Sequence, residues 1–273
     1  MLVHITADSP CDLPDDIVKA RNITITPLYL HFGNEAAKDG AEISGREVIE
    51  SYEQSGILPK TAAPSVGDYL SAWQPLLKNG DEVLHFSLSS GISSAYQSAR
   101  IAAMDCGNVQ VIDSEQMCGA FGLMVLYACD LRDIGLTVTE IAAETQIYSE
   151  NLFTAFLIYD AMFLLAGGRG TAIEEAGKVY YPSVTTIDGK ISPLAKYSGN
   201  IHKARECFIN DILERNSKNY ERVVLVYTTL SQEEFLPLLK ILETSGRFGE
   251  IITCETGGVI SAHCGKGTVG IFF

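Results

Sequence analysis

Apolar residues in the first half of the chain form short runs that alternate with longer segments of helical periodicity. The short runs predict strands, and they read "LVHIT", "ITITPLYLHFG", "DEVLHFSLS" and "NVQVIDS". The longer segments predict helices, and they read "DDIVKARN", "SGREVIESYEQSG", "SVGDYLSAWQPLLKNG", "SSAYQSARIAAMDC" and "AFGLMVLYACDLRDIG". Because strands that alternate with helices are typical of βαβ units, this half is predicted to form a parallel α/β sheet covered by helices.

Polar residues at the segment ends predict where these helices begin and end. The candidate N-terminal caps are Asp12 or Asp15, Ser44 and Ser65. Glu47 and Asp68 each follow a serine by three residues, which is the spacing of a capping box. Gly80 predicts the end of the third helix, because glycine often follows the last helical residue.

The pattern changes after about residue 150. The segment "VYYPSVTTIDGKISPLAK" predicts a β-hairpin with Asp188-Gly189 as its turn. Further helices follow at His202 to Arg215 and in "SQEEFLPLLKILETSG", between strands that end with "TVGIFF". We therefore predict an N-terminal α/β domain over residues 1–152 and a C-terminal α+β domain over residues 153–273, with the last strand packed inside the second.

Composition narrows the range of partners. The 273 residues carry 34 acidic and 20 basic side chains, giving a net charge of −14. Nucleic acids and anionic membranes bind basic faces, so we expect no nucleic-acid partner and at most transient membrane contact. The most apolar run, Cys118 to Cys129, is shorter than the about 20 residues that span a bilayer. With no signal-peptide pattern at the start, the sequence predicts a cytoplasmic protein without an integral membrane segment.

Metal and dinucleotide sites are not expected. Seven cysteines without a C-x-x-C pair and five scattered histidines do not make a metal-binding pattern. The ending "AHCGKGTVGIFF" matches G-x-G-x-x-G at Gly265, Gly267 and Gly270. A dinucleotide loop of this form must open a helix, and the residues Ile271 to Phe273 are too few to form one.

Hydroxyl side chains are concentrated in two turns. The turn after "DEVLHF" carries Ser87, Ser89, Ser90, Ser93 and Ser94. A helix cap accounts for one serine, whereas a cradle for a phosphate or carboxylate would use several. Both interpretations stay open on these residues alone. The second turn, "KTAAPS", carries Thr61 and Ser65, for which a turn with a helix cap is the ordinary interpretation.

An enzyme is the main alternative that these residues leave open. Ser93 as nucleophile and His263 as base would suit a serine hydrolase or acyl-transfer enzyme. However, no serine lies in a G-x-S-x-G elbow, and the chain has neither a P-loop nor H-E-x-x-H. Asp8 and Asp113 each end a predicted strand, where capping is their ordinary role. A binding protein for another small anion is the further alternative.

Several segments along the chain together resemble the DegV family of bacterial fatty-acid-binding proteins. In order they are "ITADSPCDLP", "TAAPSVGDY", "SLSSGISSAYQSA", "VIDSEQMCGAFG", "LLAGGRG", "DGKISPLAK" and "AHCGKGTVGIFF". Each is weakly specific, but their order and spacing cover essentially the whole chain. The resemblance implies the two-domain DegV-like fold, with a parallel α/β/α domain, an α+β domain and the ligand between them.

The resemblance also implies a function and a site. A long-chain fatty acid such as palmitate, stearate or oleate would lie in a buried tunnel, and "GAFGLMVLYA" and "FLIYDAMFLLA" are candidate walls. Thr61, Ser93 and His263 match the family residues that hold the carboxylate, and Ala62 and Ser94 lie beside them. The protein would be a carrier without catalytic residues, cofactor or metal, and in some members a separate fatty acid kinase subunit phosphorylates the bound lipid.

The sequence departs from the family pattern at several places, among them Tyr181 to Val184, which read "YPSV" where the family has K-P-I-L. Ala62 and Ala63 replace polar residues of T-S-Q-P-S, and Ser94-Ala95 replaces Gly-Thr of L-S-G-T-Y. Lys266 replaces the proline of H-x-G-P-G, which would put a cation near the head group. The arginine that often follows the lysine at Lys196 is missing, which bears on kinase docking more than on lipid binding. Arg169 of "GGRG" is a candidate structural or partner-contact residue.

Overall fold

The structure is a computed structural model that describes residues 2–160, 162–163 and 180–273. Its described strands are β1 Val3–Asp8, β2 Thr24–Thr26, β3 Tyr29–Phe32, β4 Glu35–Lys38, β5 Lys60–Ala62, β6 Glu82–Ser87, β7 Val109–Asp113, β8 Thr154–Leu157, β9 Tyr180–Ile187, β10 Lys190–Ser198, β11 Tyr220–Tyr227, β12 Phe248–Glu255 and β13 Val269–Phe272. Its described helices are α1 Asp15–Ala20, α2 Gly45–Ser55, α3 Val66–Trp73, α4 Ala95–Cys106, α5 Cys118–Asp133, α6 Val138–Glu150, α7 Ile201–Arg215, α8 Gln232–Ser245 and α9 Gly258–Cys264.

The first half of the chain forms a four-stranded parallel sheet with the order β2-β1-β6-β7. Alternate residues of β6 point to opposite faces, as expected for an extended strand. Val83 packs with α3 and α4, through Trp73 and Ala99. Leu84 and Phe86 belong to the larger core that contains α5 and α6. Helices therefore cover both faces of this sheet.

The second half forms a six-stranded mixed sheet with the order β10-β9-β8-β13-β11-β12. Its final strand β13 lies between β8 and β11 and is antiparallel to both. Ile271 faces a core shared with α7 and α8, whereas Phe272 faces the core shared with α5. The predictions of a parallel α/β half, an α+β half and an internal last strand are confirmed.

Helix α5 lies between the two large sheets. It contacts β1 on one side and β11 and β13 on the other. Both sides are therefore buried, which explains why its sequence is apolar around the whole helix. At Gly119, an added Cβ would lie 2.3 Å from the Phe272 ring, so this close helix–sheet approach requires glycine. The core continues across residue 152, and the domain boundary there stays a prediction.

A third, three-stranded antiparallel sheet has the order β4-β3-β5. Thr61 in β5 lies opposite Leu30 in β3, and Ala62 lies opposite Tyr29. The sequence predicted a turn at "KTAAPS", and the structure instead makes its first residues an edge strand. This pairing fixes the backbone that carries Thr61.

Several helix predictions need correction. The capping boxes at Ser44 and Ser65 are confirmed, but α1 begins after Pro14 without a side-chain cap, so neither Asp12 nor Asp15 has that role. Helix α3 ends at Trp73 and not at Gly80, because Pro75 has no N–H to continue the ladder.

Two of the described helices were not predicted at all. Helix α6 has a buried face that includes alanine, threonine and serine, so its apolar periodicity is weak. Helix α9 is short and begins with Gly258, which has a low helix propensity.

Candidate ligand-binding site

Thr61 and His263 meet although 202 residues separate them along the chain. The Thr61 hydroxyl lies 2.9 Å from Nε2 of His263. His263 is half-buried near the end of α9, and Thr61 is half-buried in β5. The structure thus brings together two of the residues that the family resemblance assigns to a carboxylate.

Thr61, Ala62, Ser93 and Ser94 line a common cavity of about 540 Å³. The same cavity is lined by four aliphatic side chains, from Leu28, Leu88, Ile92 and Val259. Hydroxyl groups and apolar side chains therefore line the same cavity. Such a lining suits a ligand that has both a polar and an apolar part.

The serines of the turn after β6 have different partners. Ser93 is half-buried, and its Oγ accepts the Ala95 N–H at 3.1 Å at the start of α4. Ser94 occupies the cap position of α4 without a side-chain cap bond, and its side chain is exposed. Ser87 donates to Asp8 over 2.7 Å. No serine of this turn therefore makes a side-chain cap bond to α4, and the hydroxyls of Ser93 and Ser94 lie beside the cavity.

Two buried carboxylates accept hydrogen bonds from backbone N–H groups at the start of α9. Asp39 Oδ1 accepts the Gly258 N–H at 2.6 Å, and Asp12 Oδ1 accepts the Gly257 N–H at 3.0 Å. Burial and the nearby charge of Asp39 raise the pKa of Asp12, hydrogen bonds from Cys118 and Gly257 lower it, and the resulting pKa is about 7. These aspartates fix the helix that carries His263, and no sequence motif indicated that role.

Asp12 makes stability depend on pH in a specific direction. Its pKa of about 7 in the folded protein exceeds the ordinary 3.8, so the folded state binds this proton more tightly than the unfolded state. Its contribution is therefore unfavourable above the folded pKa and disappears below the unfolded pKa. We expect stability to fall between pH 4 and 7 by up to about 4 kcal/mol from this group.

The variant Asp12→Asn measures this contribution, because it keeps an acceptor for Gly257 and cannot ionise. Urea unfolding at several pH values should show the free energy of unfolding of Asp12→Asn increasing relative to that of the original protein as pH rises from about 4 to about 7. A constant difference in the free energy of unfolding over that range would contradict the assignment to Asp12.

The glycines near the C-terminus contact protein side chains. Both Gly265 and Gly267 have positive φ, +75° and +78°. A Cβ at Gly265 would lie 2.5 Å from the Phe163 ring, and one at Gly267 would lie 2.8 Å from Arg205. Close packing within the protein therefore accounts for both glycines.

Arg205 is buried, and no sequence pattern had indicated a role for it. It donates to the Gly267 carbonyl at 2.8 Å and to Glu234 at 2.9 Å. Lys266 lies next to this turn, and its ammonium group pairs with Glu53 at 2.6 Å. The cation that we expected near the head group is therefore directed to an acidic side chain of α2.

Asp8 has a larger structural role than the predicted cap. Its carboxylate is fully buried and accepts hydrogen bonds from the Tyr69 and Ser87 hydroxyls, both at 2.7 Å. It also accepts the Leu88 N–H at 2.8 Å, at the start of the serine turn. Asp113 instead accepts the Ser90 N–H at 3.0 Å within that turn. Both aspartates therefore organise the backbone that leads to Ser93.

Some predicted features lie outside the described residues. Arg169 and the end of the apolar run "FLIYDAMFLLA" belong to them. Within the described ranges, no group of three histidine, cysteine or acidic residues could hold a metal ion. In that same part of the chain, no helix combines the length and apolarity needed to cross a bilayer.

The fold and the cavity define an α/β protein with two large sheets and a small third one, whose hydroxyl-lined cavity lies beside a helix from the C-terminal half. The chain belongs to the DegV family: the model of this family of uncharacterised proteins matches residues 2–273. The predicted family membership is thereby confirmed.

Individual relatives match over nearly their full length. A DegV domain-containing protein of Clostridium acetobutylicum is 29% identical over 280 residues, which cover 99% of this chain and 98% of that protein. A DegV family protein from Thermus thermophilus, whose structure concerns fatty acid binding, is 26% identical with a TM-score of 0.88 over 100% of this chain and 99% of that one. DegV of Bacillus subtilis, a fatty acid binding protein, is 25% identical with a TM-score of 0.88 over 100% and 98%.

Proposed function

We propose that this protein binds a long-chain fatty acid such as palmitate, stearate or oleate, with the carboxylate beside Thr61, Ser93 and His263. The observation that carries the proposal is the 2.9 Å contact between Thr61 and His263 at a cavity that Ser93 also lines. The Thermus thermophilus and Bacillus subtilis relatives, described as fatty-acid-binding proteins, support it.

The carboxylate needs hydrogen-bond donors, because a buried unpaired charge costs several kcal/mol. The hydroxyls of Thr61 and Ser93 can donate to it, and His263 donates through Nε2 when that nitrogen carries the proton. The backbone N–H of Ala62 and the hydroxyl of Ser94 are further candidate donors. When the fatty acid is bound, an oxygen of its carboxylate would lie next to both Thr61 and His263, which contact each other.

The alkyl chain supplies most of the gross binding free energy. Each buried CH₂ contributes about 0.8 kcal/mol before ordering costs are subtracted. Leu28, Leu88, Ile92 and Val259 provide an apolar wall next to the hydroxyls, so the first carbons of the chain would leave water there. The remaining carbons would run between the two halves of the protein.

We propose that the protein is a carrier without catalytic activity or a cofactor of its own. A separate kinase subunit would phosphorylate the carboxylate if this chain works as some relatives do. The cavity suits presentation of a head group, because Ser94 is exposed at its edge while Thr61 and Ser93 are half-buried. A partner could therefore approach the carboxylate from the side of α4.

An organic extract of the purified protein tests the proposal directly. Mass spectrometry of the extract should detect a long-chain fatty acid, and native mass spectrometry should detect one such molecule per chain. The control is the same extraction from an unrelated protein purified in the same way. A protein that is empty and also refuses added oleate and palmitate would contradict the proposal.

The hydrolase alternative gives a different result in a labelling experiment. A fluorophosphonate reacts covalently with an activated serine, so a hydrolase would be labelled at Ser93. The hydrogen bond of His263 Nε2 goes to Thr61, which fits a shared carboxylate site better than activation of Ser93. We therefore expect no labelling at Ser93, and stoichiometric labelling would favour the enzyme.

A further inference from the structure

The tip of the hairpin formed by β9 and β10 lies on the serine turn. Ser89 is 1% exposed, and its hydroxyl donates to the carbonyl of Gly189 over 2.7 Å. Asp188 and Gly189 form the hairpin turn with φ values of 49° and 70°. Gly189, which is 100 positions from Ser89 in sequence, therefore contacts the turn that carries Ser93.

Ser89 connects this contact to the backbone of Ser93. Its carbonyl accepts the N–H groups of Ile92 and Ser93, both at 3.1 Å. Its hydroxyl also accepts the Gly91 N–H at 3.2 Å. A displacement of Ser89 would therefore move each of the residues that lead to Ser93.

Glycine is required on both sides of the contact. A Cβ at Gly91 would lie 2.5 Å from the Gly189 carbonyl oxygen, and a Cβ at Gly189 would lie 2.7 Å from the Ser89 hydroxyl. Real Cβ atoms do not approach other atoms this closely. The hairpin tip and the serine turn thus fit together only while Gly91 and Gly189 lack side chains.

We infer that Ser89 and Gly189 are positioning residues for the ligand head group. The hairpin tip holds Ser89, and Ser89 holds the backbone of Ser93 in the orientation that lines the cavity. This inference rests on the proposed function, because the affinity that it affects is that for the fatty acid carboxylate. It adds the hairpin, which does not line the cavity, to the parts of the chain that determine ligand affinity.

Three single variants test the inference. Ser89→Ala removes the hydroxyl, and Gly189→Ala places a methyl group against it. We expect each to weaken oleate binding about fivefold to tenfold, as for loss of one hydrogen bond. The matched control is Gly199→Ala, which also places alanine at positive φ, +102°, but has no atom within 4 Å of the added Cβ. It should leave the affinity unchanged.

A double variant distinguishes positioning from general destabilisation. The clash in Gly189→Ala is with the Ser89 hydroxyl, so adding Ser89→Ala relieves it. The double variant should therefore bind oleate no more weakly than Gly189→Ala alone, whereas independent damage would multiply the two losses. Multiplied losses, or variants that lower the unfolding temperature without changing affinity, would overturn the inference.

Hydrogen exchange separates this inference from the proposed function, because it needs no ligand. In the lipid-free protein, the amides of Ile92 and Ser93 should exchange faster in Ser89→Ala than in the original chain. Unchanged exchange at both amides would overturn the positioning role. Failure of the original protein to bind oleate would overturn the proposed function, and the exchange result would still decide whether the hairpin holds the turn.

Discussion

Replacing both Thr61 and Ser93 with alanine should weaken fatty acid binding by at least about 100-fold while the fold stays intact. Each hydroxyl is expected to donate to the carboxylate, and a hydrogen bond to a charged group contributes about 1.5–3 kcal/mol. Both side chains are small and half-buried, so their removal leaves little empty space. The dissociation constant for oleate and the lipid retained after purification measure the effect.

The matched control replaces one serine and one threonine that lie away from the cavity with alanine. Ser71 and Thr244 are both exposed, so the pair Ser71→Ala and Thr244→Ala should leave oleate affinity unchanged. Circular dichroism of both double variants checks that the fold is retained. Full lipid occupancy in the Thr61 and Ser93 double variant would remove these residues from the head-group role.

Asp8→Ala should lower the free energy of unfolding by about 3–5 kcal/mol, the usual cost of removing one partner of a buried charged network. The carboxylate is fully buried and is the acceptor for Tyr69, Ser87 and the Leu88 N–H. Its loss leaves those donors buried without their acceptor. Urea unfolding at pH 7 measures the change.

Asp105→Ala is the control for the Asp8 experiment, because Asp105 is exposed near the end of α4 and should change stability by less than about 0.5 kcal/mol. We also expect Asp8→Ala to reduce oleate affinity, since Leu88 begins the serine turn. A stability within 1 kcal/mol of the original protein would mean that the polar cluster can reorganise around the missing carboxylate.

Local sequence patterns predicted most elements of the fold because their causes are local. The Ser44 and Ser65 capping boxes involve residues three positions apart, and the Asp188-Gly189 turn depends on two neighbouring φ values. The segments "DEVLHFSLS" and "AFGLMVLYACDLRDIG" also predicted a strand and a helix correctly, at β6 and α5. Sequence patterns failed to predict a helix where its buried face is not apolar, as in α6.

The choice of Thr61, Ser93 and His263 came from a resemblance spread over the whole chain, and the residues alone left a cap, a cradle and a hydrolase open. Their spatial relation could not be read from the sequence. The pairing of β5 with β3 and the docking of α9 bring Thr61 and His263 to 2.9 Å. Contacts of that kind depend on how the fold places backbone segments that are far apart in sequence.

The sequence by itself determined the alternation of strands and helices, the helix caps, the hairpin turn and the family. Each follows from interactions within a few residues or from a pattern repeated along the chain. Only the tertiary structure decided the roles of Asp8, Asp12, Asp39, Ser89 and Arg205. Each is a polar group that burial would penalise, and its stabilising partners come from distant segments. Which partner each meets is therefore decided when the sheets pack, not by its neighbours in sequence.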